Sequence, residues 1–385
     1  MLKVSEIKTV LTHIIKNNQY LESQGKKKNS LLVEGEAGLG KTSIIQQVAQ
    51  ENGMDFVKIS LSQIEQCGEI SGWPYMERQT EDGRWLSDKE LEFMEGEVCF
   101  TGETRTSYAQ PAWVPRDDRG VVLLLDDFTR APTHIMQAVM EIIDRGEYIS
   151  WKLPKNCHII LTSNPQESGE YIVTNLDEAQ KTRYIRLIMK YDVNEWAQWA
   201  EMEGVDSRCI NFLLLNPEMI KKNTNPRLAT DYFNAISSIQ DFSSAHALQM
   251  INWLGEGSVG PEFSTVFALF INNKLDKVPS PQEIMETDTN IGAINKIKAA
   301  VGAVDTATYK QNIASVISTR LLNYMNKIIE DKSFKKKETV NRIAEIIKSG
   351  AFSGDINYNF VKTLNMKKQF APLIEDKEIV KIVTR

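Results

Sequence analysis

The chain has 385 residues, of which 42% are apolar and 25% charged, and its formal net charge is −6. This length exceeds what one compact core usually holds, so we expect two or three domains with the composition of an ordinary soluble globular protein. No apolar run approaches the roughly 20 residues that a membrane-spanning helix needs, so we expect no membrane association. The four cysteines are scattered without a CxxC pair, which is typical of reduced thiols in a cytoplasmic protein.

The first 29 residues predict a helix and a linker. Val4, Ile7, Leu11 and Ile15 recur at helical spacing, and charged residues interrupt them, so the segment does not resemble a secretory signal. The polar run QGKKKN then leads into an α/β core, which we expect at residues 30–190.

The stretch GEAGLGKTS matches the phosphate-loop pattern G-x-x-x-x-G-K-[ST]. A short apolar strand, SLLVEG, precedes it, and apolar residues at helical spacing follow it. Glycines let backbone N–H groups surround a phosphate, and the new helix directs its positive end at the same anion. Lys41 is expected to reach the β- and γ-phosphates of ATP and Thr42 to ligate Mg²⁺. The predicted nucleotide-binding residues here are Gly35, Glu36, Ala37, Gly38, Leu39, Gly40, Lys41, Thr42 and Ser43.

A second buried strand, VVLLLDDFTRAP, ends in two adjacent acids. Its run of β-branched residues and leucines is typical of a strand covered on both faces of a parallel sheet. Ligands of open α/β sheets bind at the carboxyl ends of the strands, so we predict that Asp126 helps to hold Mg²⁺. Asp127 is predicted to polarise the attacking water. The alternative is that the two acids begin a surface turn.

A third apolar strand, CHIILTSNP, ends in polar residues. Asn164 at this end is predicted to orient the attacking water against the γ-phosphate. Asn-Pro alone indicates only a turn.

These three strands, in this order, resemble those of the AAA+ ATPases, and the chain is most similar to the MoxR-like branch. The matching pieces extend well beyond the phosphate loop and cover roughly residues 28–240; they are LSQIEQCGEISGWP, QPAWVP, LLLDDFTRAP, ILTSNP, LDEAQKTRYIRL, WAQWAEMEGV and TNPRLA. The implied fold class is an α/β phosphate-loop core, with helices flanking a parallel sheet, followed by an α-helical lid and a mainly helical C-terminal region.

The resemblance also implies roles for three arginines. Arg183 falls where the family has an arginine finger that reaches a neighbouring subunit's nucleotide, and Arg227 falls where the lid presents an arginine to the nucleotide of its own chain. Arg130 matches an arginine of less settled role. In each case a surface ion pair is the alternative. The chain departs from the family pattern at Asp127, where Glu is usual, and at Tyr184, where Phe is usual; the shorter acid puts the hydrolysis rate in doubt more than nucleotide binding.

The expected domain boundaries follow from the same comparison. An insertion at 61–115 interrupts the core and in the family faces the channel of a ring. Here it contains GWPY and RW, whose aromatic residues either grip a client or pack the insertion onto the core. A helical lid is expected at 191–255, with Trp196, Trp199 and Ala200 on one buried face, and a helical extension at 256–385.

Two further features of the sequence are typical of other functions. Residues 331–385 carry 12 Lys and Arg against 7 Asp and Glu. Such a basic tail could contact nucleic acid, although the acidic remainder argues against strong sequence-independent DNA binding. Residues 273–276 spell N-K-x-D, which many GTPases use to recognise guanine, but they lie far beyond the phosphate loop, and we interpret the match as coincidence.

We therefore predict a ring-forming ATPase that uses Mg·ATP to remodel or assemble a protein client, and the resemblance implies that the ring is a hexamer. A von Willebrand factor A-type partner is implied by the resemblance only. The alternatives are an ATP-gated assembly subunit with little hydrolysis, and a nucleic-acid motor or loader.

Overall fold

The structure is a computed structural model that describes residues 1–94, 96–116, 119–165, 176, 178–221, 223–273, 275–331 and 333–383. It divides into two compact units, Met1–Tyr191 and Asp192–Arg385. Each unit has a hydrophobic core of its own. Within the described residues, no helix has the length and apolar character required to span a bilayer.

The first unit mixes strands and helices. Its strands are β1 (Ser30–Glu34), β2 (Asp55–Ser60), β3 (Pro74–Thr80), β4 (Trp85–Ser87), β5 (Phe100–Tyr108), β6 (Val121–Asp126), β7 (Glu147–Tyr148), β8 (Trp151–Lys152), β9 (Cys157–Ser163) and β10 (Tyr184–Ile188). Its helices are α1 (Val4–Ser23), α2 (Lys41–Glu51), α3 (Cys67–Ser71), α4 (Asp88–Leu91), α5 (Thr133–Arg145) and α6 (Glu178–Lys181).

The central sheet is parallel and has the order β10-β1-β9-β6-β2. Alternate residues of β6 point to opposite faces, so Val122 and Leu124 pack with α1 and α2, whereas Leu123 and Leu125 pack with α5. Both faces are therefore covered, which explains why β1, β6 and β9 are almost continuously apolar. The predicted parallel α/β core is confirmed.

The insertion contains a three-stranded antiparallel sheet of order β4-β3-β5. The hairpin β7–β8 packs beside its base: the Trp151 indole N–H donates to the Ser71 carbonyl at 2.8 Å, and the Tyr108 and Tyr148 rings meet edge to face at 5.5 Å. Gly72 between α3 and β3 has φ +85°, and a Cβ there would lie 1.8 Å from the Ala109 carbonyl oxygen. The region that the sequence showed only as a long connection is thus an ordered subdomain.

The second unit is helical across its described residues. Its helices are α7 (Val193–Glu203), α8 (Ser207–Leu215), α9 (Pro226–Ile236), α10 (Ala245–Ser258), α11 (Pro261–Asn272), α12 (Pro281–Met285), α13 (Asn290–Val301), α14 (Gln311–Glu330), α15 (Lys336–Lys348), α16 (Gly354–Asn365), α17 (Pro372–Glu375) and α18 (Lys377–Val383). The predicted helical C-terminal region is confirmed. Its division at residue 255 into a lid and an extension stays a prediction. Of the N-K-x-D residues, Lys274 lies outside the described residues.

One detail of α7 differs from the sequence prediction. Trp196 and Ala200 are buried, as expected, but Trp199 is 44% exposed. Ala197 takes its place in the core. At about 100° per residue, Trp196, Ala197 and Ala200 fall on one side of the helix, and Trp199 lies outside the arc that they span. The helix therefore buries the side that contains Ala197 and leaves Trp199 partly exposed.

Candidate functional site

The phosphate loop joins β1 to α2 and turns through glycines with positive φ. Gly38 has φ +78° and Gly40 has φ +84°. A Cβ at Gly40 would meet nothing within 4 Å, so glycine is favoured there by the backbone angle rather than by lack of space. The loop closes around the Lys41 ammonium, which donates to the carbonyls of Gly35 at 2.7 Å and Glu36 at 3.0 Å.

This arrangement suits an anion. Helix α2 begins at Lys41, so Thr42 and Ser43 stand in its first turn, where backbone N–H groups lack helical acceptors and the helix dipole is positive. Glu36, Ala37 and Leu39 supply the intervening loop backbone. Together with the Lys41 ammonium, the first turn fits the phosphates of a nucleotide.

Asn164 lies directly after β9 and meets Lys41. The Lys41 ammonium donates to the Asn164 side-chain oxygen at 3.2 Å, and Asn164 is only 4% exposed. Because β1 and β9 are adjacent and parallel, with Glu34 opposite Ser163, the residues that follow them emerge at the same edge of the sheet.

Asp126, the last residue of β6, lies beside the first turn of α2. The Thr42 hydroxyl is 3.3 and 3.4 Å from the two carboxylate oxygens of Asp126. Hydroxyl and carboxylate oxygens are the ligands that Mg²⁺ prefers, and Mg²⁺ is usually held by one or two such groups together with water and substrate phosphates. The pair fits the predicted magnesium site.

The Asp126 carboxylate has two further partners. The Lys58 ammonium of β2 lies 2.7 Å from Oδ2, and the buried Thr162 hydroxyl of β9 donates to Oδ1. Burial by itself raises the pKa of Asp126, but the hydrogen bonds from Lys58, Thr162 and Thr42 and the charge of Lys58 outweigh it, so the pKa lies below its ordinary value. Asp126 is therefore a fixed, ionised carboxylate.

Asp127 turns the chain out of the sheet. Its backbone is left-handed, with φ 55° and ψ 38°, a conformation that aspartate tolerates better than most residues. Its N–H donates to the Thr162 hydroxyl at 3.1 Å, so one threonine holds both acids. The Asp127 carboxylate is 35% exposed and lies 3.6 Å from the Arg130 guanidinium.

Arg183 lies at the other end of the sheet. Its neighbour Tyr184 pairs with Ser30, at the start of β1, whereas the phosphate loop follows the end of β1. The four intervening residue steps of β1 span about 13 Å. The Arg183 guanidinium instead lies 4.0 Å from the Asp144 carboxylate.

Arg227 belongs to the second unit. It is the second residue of α9, a helix that begins at Pro226 and is capped by the Asn225 side chain, which accepts from the Leu228 N–H at 3.0 Å. Its side chain is exposed.

Two residues of this site were missed by sequence reasoning. Lys58 is the charged residue inside the strand DFVKIS, and Thr162 belongs to the polar end of β9, where only Asn164 was singled out. The sequence signal for Lys58 was a lysine in the middle of a predicted strand of the sheet, where a charged group usually has a partner.

Comparison with known proteins agrees with this geometry. Residues 31–168 match the family model of the ATPase family associated with various cellular activities (AAA). No curated protein matches the chain. Arg183 and Arg227 lie outside the matched residues.

Solved structures give only distant similarities. A point variant of Thermotoga maritima RuvB is 15% identical, with 76% of this chain and 81% of that chain covered and a TM-score of 0.36. The Thermotoga maritima RuvB Holliday junction branch migration motor is 15% identical, with coverage of 77% and 81% and a TM-score of 0.35. A proposed ATPase of Cytophaga hutchinsonii is 17% identical, with coverage of 83% and 81% and a TM-score of 0.31. The similarity to a known family therefore rests on the family model, which residues 31–168 of this chain match.

Proposed function

We propose that this chain hydrolyses Mg·ATP within a ring of its own copies and uses the energy to remodel or assemble a protein client, as the resembled MoxR-like proteins do. The observation that carries the proposal is the meeting of Lys41 with Asn164, and of Thr42 with Asp126, at one edge of the parallel sheet. If the two acids only began a surface turn, there would be no reason for these four side chains to lie together.

Each residue of the site has a proposed role in binding or hydrolysis. The phosphate loop and Lys41 bind the phosphates, and Thr42 and Asp126 would hold Mg²⁺, which neutralises phosphate charge when bound. Asp127 polarises the attacking water, and Asn164, already in contact with Lys41, orients that water against the γ-phosphate.

Assembly into a ring, proposed to be a hexamer, supplies the remaining groups. Arg183 lies beside the start of β1, whereas the phosphate loop of its own chain follows the end of β1, about 13 Å away. This separation supports a role for Arg183 at a neighbouring subunit's nucleotide. An arginine donated in this way stabilises charge that develops on the γ-phosphate. Arg227 is proposed to respond to the nucleotide of its own chain, as the family's lid arginine does.

The client surface is proposed to lie on the insertion. Trp73 is 57% exposed and Tyr75 is 37% exposed, whereas Trp85 packs under the Arg105 guanidinium at 4.5 Å. The two aromatic residues of GWPY are thus available to a client, while the tryptophan of RW packs within the insertion itself. A von Willebrand factor A-type protein is the partner class that the resemblance suggests.

The test is steady-state Mg·ATP hydrolysis over a series of protein concentrations. Activity per subunit should rise with concentration, and Lys41→Ala, Asp127→Asn and Arg183→Ala should each abolish most of it. Wild type that binds ATP but hydrolyses it no faster than Asp127→Asn would refute the motor.

Mixing two inactive variants tests the donated arginine directly. A Lys41→Ala subunit keeps Arg183, and an Arg183→Ala subunit keeps its phosphate loop, so in a randomly mixed ring about a quarter of interfaces contain both intact groups. The mixture should therefore regain about a quarter of wild-type activity. No recovery, in rings shown to exchange subunits, would contradict a role in trans.

One alternative has a specific observation in its favour. The Arg130 guanidinium lies 3.6 Å from the Asp127 carboxylate and could hold it away from water, which suits an ATP-gated ring component with little hydrolysis. Arg130→Ala would then raise the hydrolysis rate, whereas in the motor it would leave the rate unchanged or lower it.

A further inference from the structure

Lys58 lies beside the predicted magnesium site. It belongs to β2, the edge strand next to β6, in which Ser60 pairs with Asp126 and Lys58 pairs with Leu124. The side chain therefore extends along the strands by two residues, about 7 Å, to bring its ammonium within 2.7 Å of Asp126 Oδ2. The lysine side chain is 39% exposed and the aspartate side chain 14%.

Both oxygens of the Asp126 carboxylate have partners. Thr162 occupies Oδ1, Lys58 occupies Oδ2, and the Thr42 hydroxyl is almost equidistant from both oxygens. An ionised carboxylate with so little exposure is stable only when its charge is compensated, and Lys58 provides the compensating charge in this arrangement.

We propose that Lys58 is a positioning residue that holds and neutralises Asp126 in the absence of magnesium, and thereby limits how strongly magnesium and nucleotide reinforce each other's binding. The inference rests on the proposed binding of Mg·ATP at this site. A divalent cation at Thr42 and Asp126 would share the carboxylate with the ammonium, and two cations on one carboxylate repel each other. Conversely, without magnesium, Lys58 offsets part of the repulsion between the acids of the site and the nucleotide phosphates.

The expected consequence is a change in linkage. In Lys58→Met, a nucleotide should bind more weakly without Mg²⁺, because the site is more negative, and with nearly wild-type affinity at saturating Mg²⁺. The ratio of the two dissociation constants should rise by about three- to tenfold, since Lys58 is partly exposed and solvent screens its charge. By reciprocity, the factor by which bound nucleotide increases the affinity for Mg²⁺ should be larger in the variant than in wild type by about the same three- to tenfold.

The experiment is a titration with a fluorescent, non-hydrolysable ATP analogue, in EDTA and in saturating Mg²⁺, so that no step depends on catalysis. Lys58→Arg keeps the charge and should keep the wild-type ratio. Lys8→Met is the matched control, because Lys8 also pairs with a carboxylate, that of Glu51 at 2.5 Å, and has similar exposure.

The outcomes separate the two proposals. If wild type binds the analogue, Lys41→Ala loses it, and Lys58→Met keeps the wild-type ratio, this inference is overturned while the nucleotide site stands. An equal loss of affinity in both conditions would indicate a merely structural lysine and would also overturn it. If wild type does not bind the analogue even with Mg²⁺, the proposed function fails and this inference fails with it.

Discussion

Replacing Thr162 with valine should damage the site without creating a cavity. The Thr162 side chain is fully buried, and its hydroxyl donates to the Asp126 carboxylate and accepts from the Asp127 N–H. A hydrogen bond to a charged group is worth about 1.5–3 kcal/mol, and one between neutral groups about 0.5–1.5 kcal/mol. Thr162→Val keeps the shape but removes both, so we expect about 2–4 kcal/mol of destabilisation around β6 and β9.

The same change should slow hydrolysis by about ten- to a hundredfold, because Asp127 loses the contact that fixes its left-handed backbone and small displacements of catalytic groups are costly. Thr162→Ser is the matched control: it keeps the hydroxyl, loses one methyl group worth about 1 kcal/mol, and should retain most of the activity.

Amide hydrogen exchange suits this test, since it reports local stability in a chain of two units. Peptides covering β6 and β9 should exchange faster in Thr162→Val, whereas peptides from α14 in the second unit should be unchanged. If Thr162→Val exchanges and hydrolyses like wild type, the hydroxyl does not hold the two acids.

Three further outcomes are expected. Arg320 is 1% exposed and forms two 3.0 Å hydrogen bonds with Glu201, so Arg320→Met should lower the free energy of unfolding by about 3–5 kcal/mol in a denaturant titration. Combining it with Glu201→Leu should restore much of that stability, because the carboxylate is then no longer left unpaired. A loss below about 1 kcal/mol in Arg320→Met would contradict the importance of this buried pair. Burial lowers the pKa of His158 from 6.5 to about 4, so on acidification the unfolded chain takes up this proton at a higher pH than the folded chain. The free energy of unfolding should therefore fall by about 3 kcal/mol as the pH drops from 6.5 to 4. In His158→Gln, thermal melts should show a weaker dependence of stability on pH over this range. Gly72→Ala should disrupt the junction of the insertion, because its Cβ would overlap the Ala109 carbonyl oxygen at 1.8 Å; wild-type proteolytic resistance would contradict this.

The parts of the fold that the sequence predicts are those with strong local patterns. The strands β1, β6 and β9 are buried on both faces and therefore almost continuously apolar, and the phosphate loop needs glycines at fixed spacing. The insertion lacks such a pattern, because most residues of β5 are exposed and, within the described residues, β3, β4 and β5 form a sheet of their own. The β-propensity of these residues alone does not predict the three-stranded sheet of the insertion.

Two partners of Asp126, Lys58 and Thr162, were not predicted for a different reason. They are far apart in the chain and meet at Asp126 because β2, β6 and β9 are consecutive strands of the sheet. Strand order is a global property that spacing in the sequence does not contain. Asn164 was easier to find, since any polar residue that ends a buried parallel strand faces the ligand edge.

The two adjacent acids are suited to different tasks by their backbone. Asp126 ends an extended strand and is fixed by Lys58 and Thr162, whereas Asp127 turns into the left-handed region and keeps a third of its side chain exposed. Its contact with Arg130 at 3.6 Å joins two partly exposed groups, and such pairs are worth about 0–1 kcal/mol, so the carboxylate is released at little cost. Access to water thus depends on this turn more than on Arg130 or on the methylene that separates Asp from Glu. For that reason the shorter acid is compatible with hydrolysis, and the rate of Arg130→Ala, rather than the identity of residue 127, distinguishes a motor from a nucleotide-gated ring.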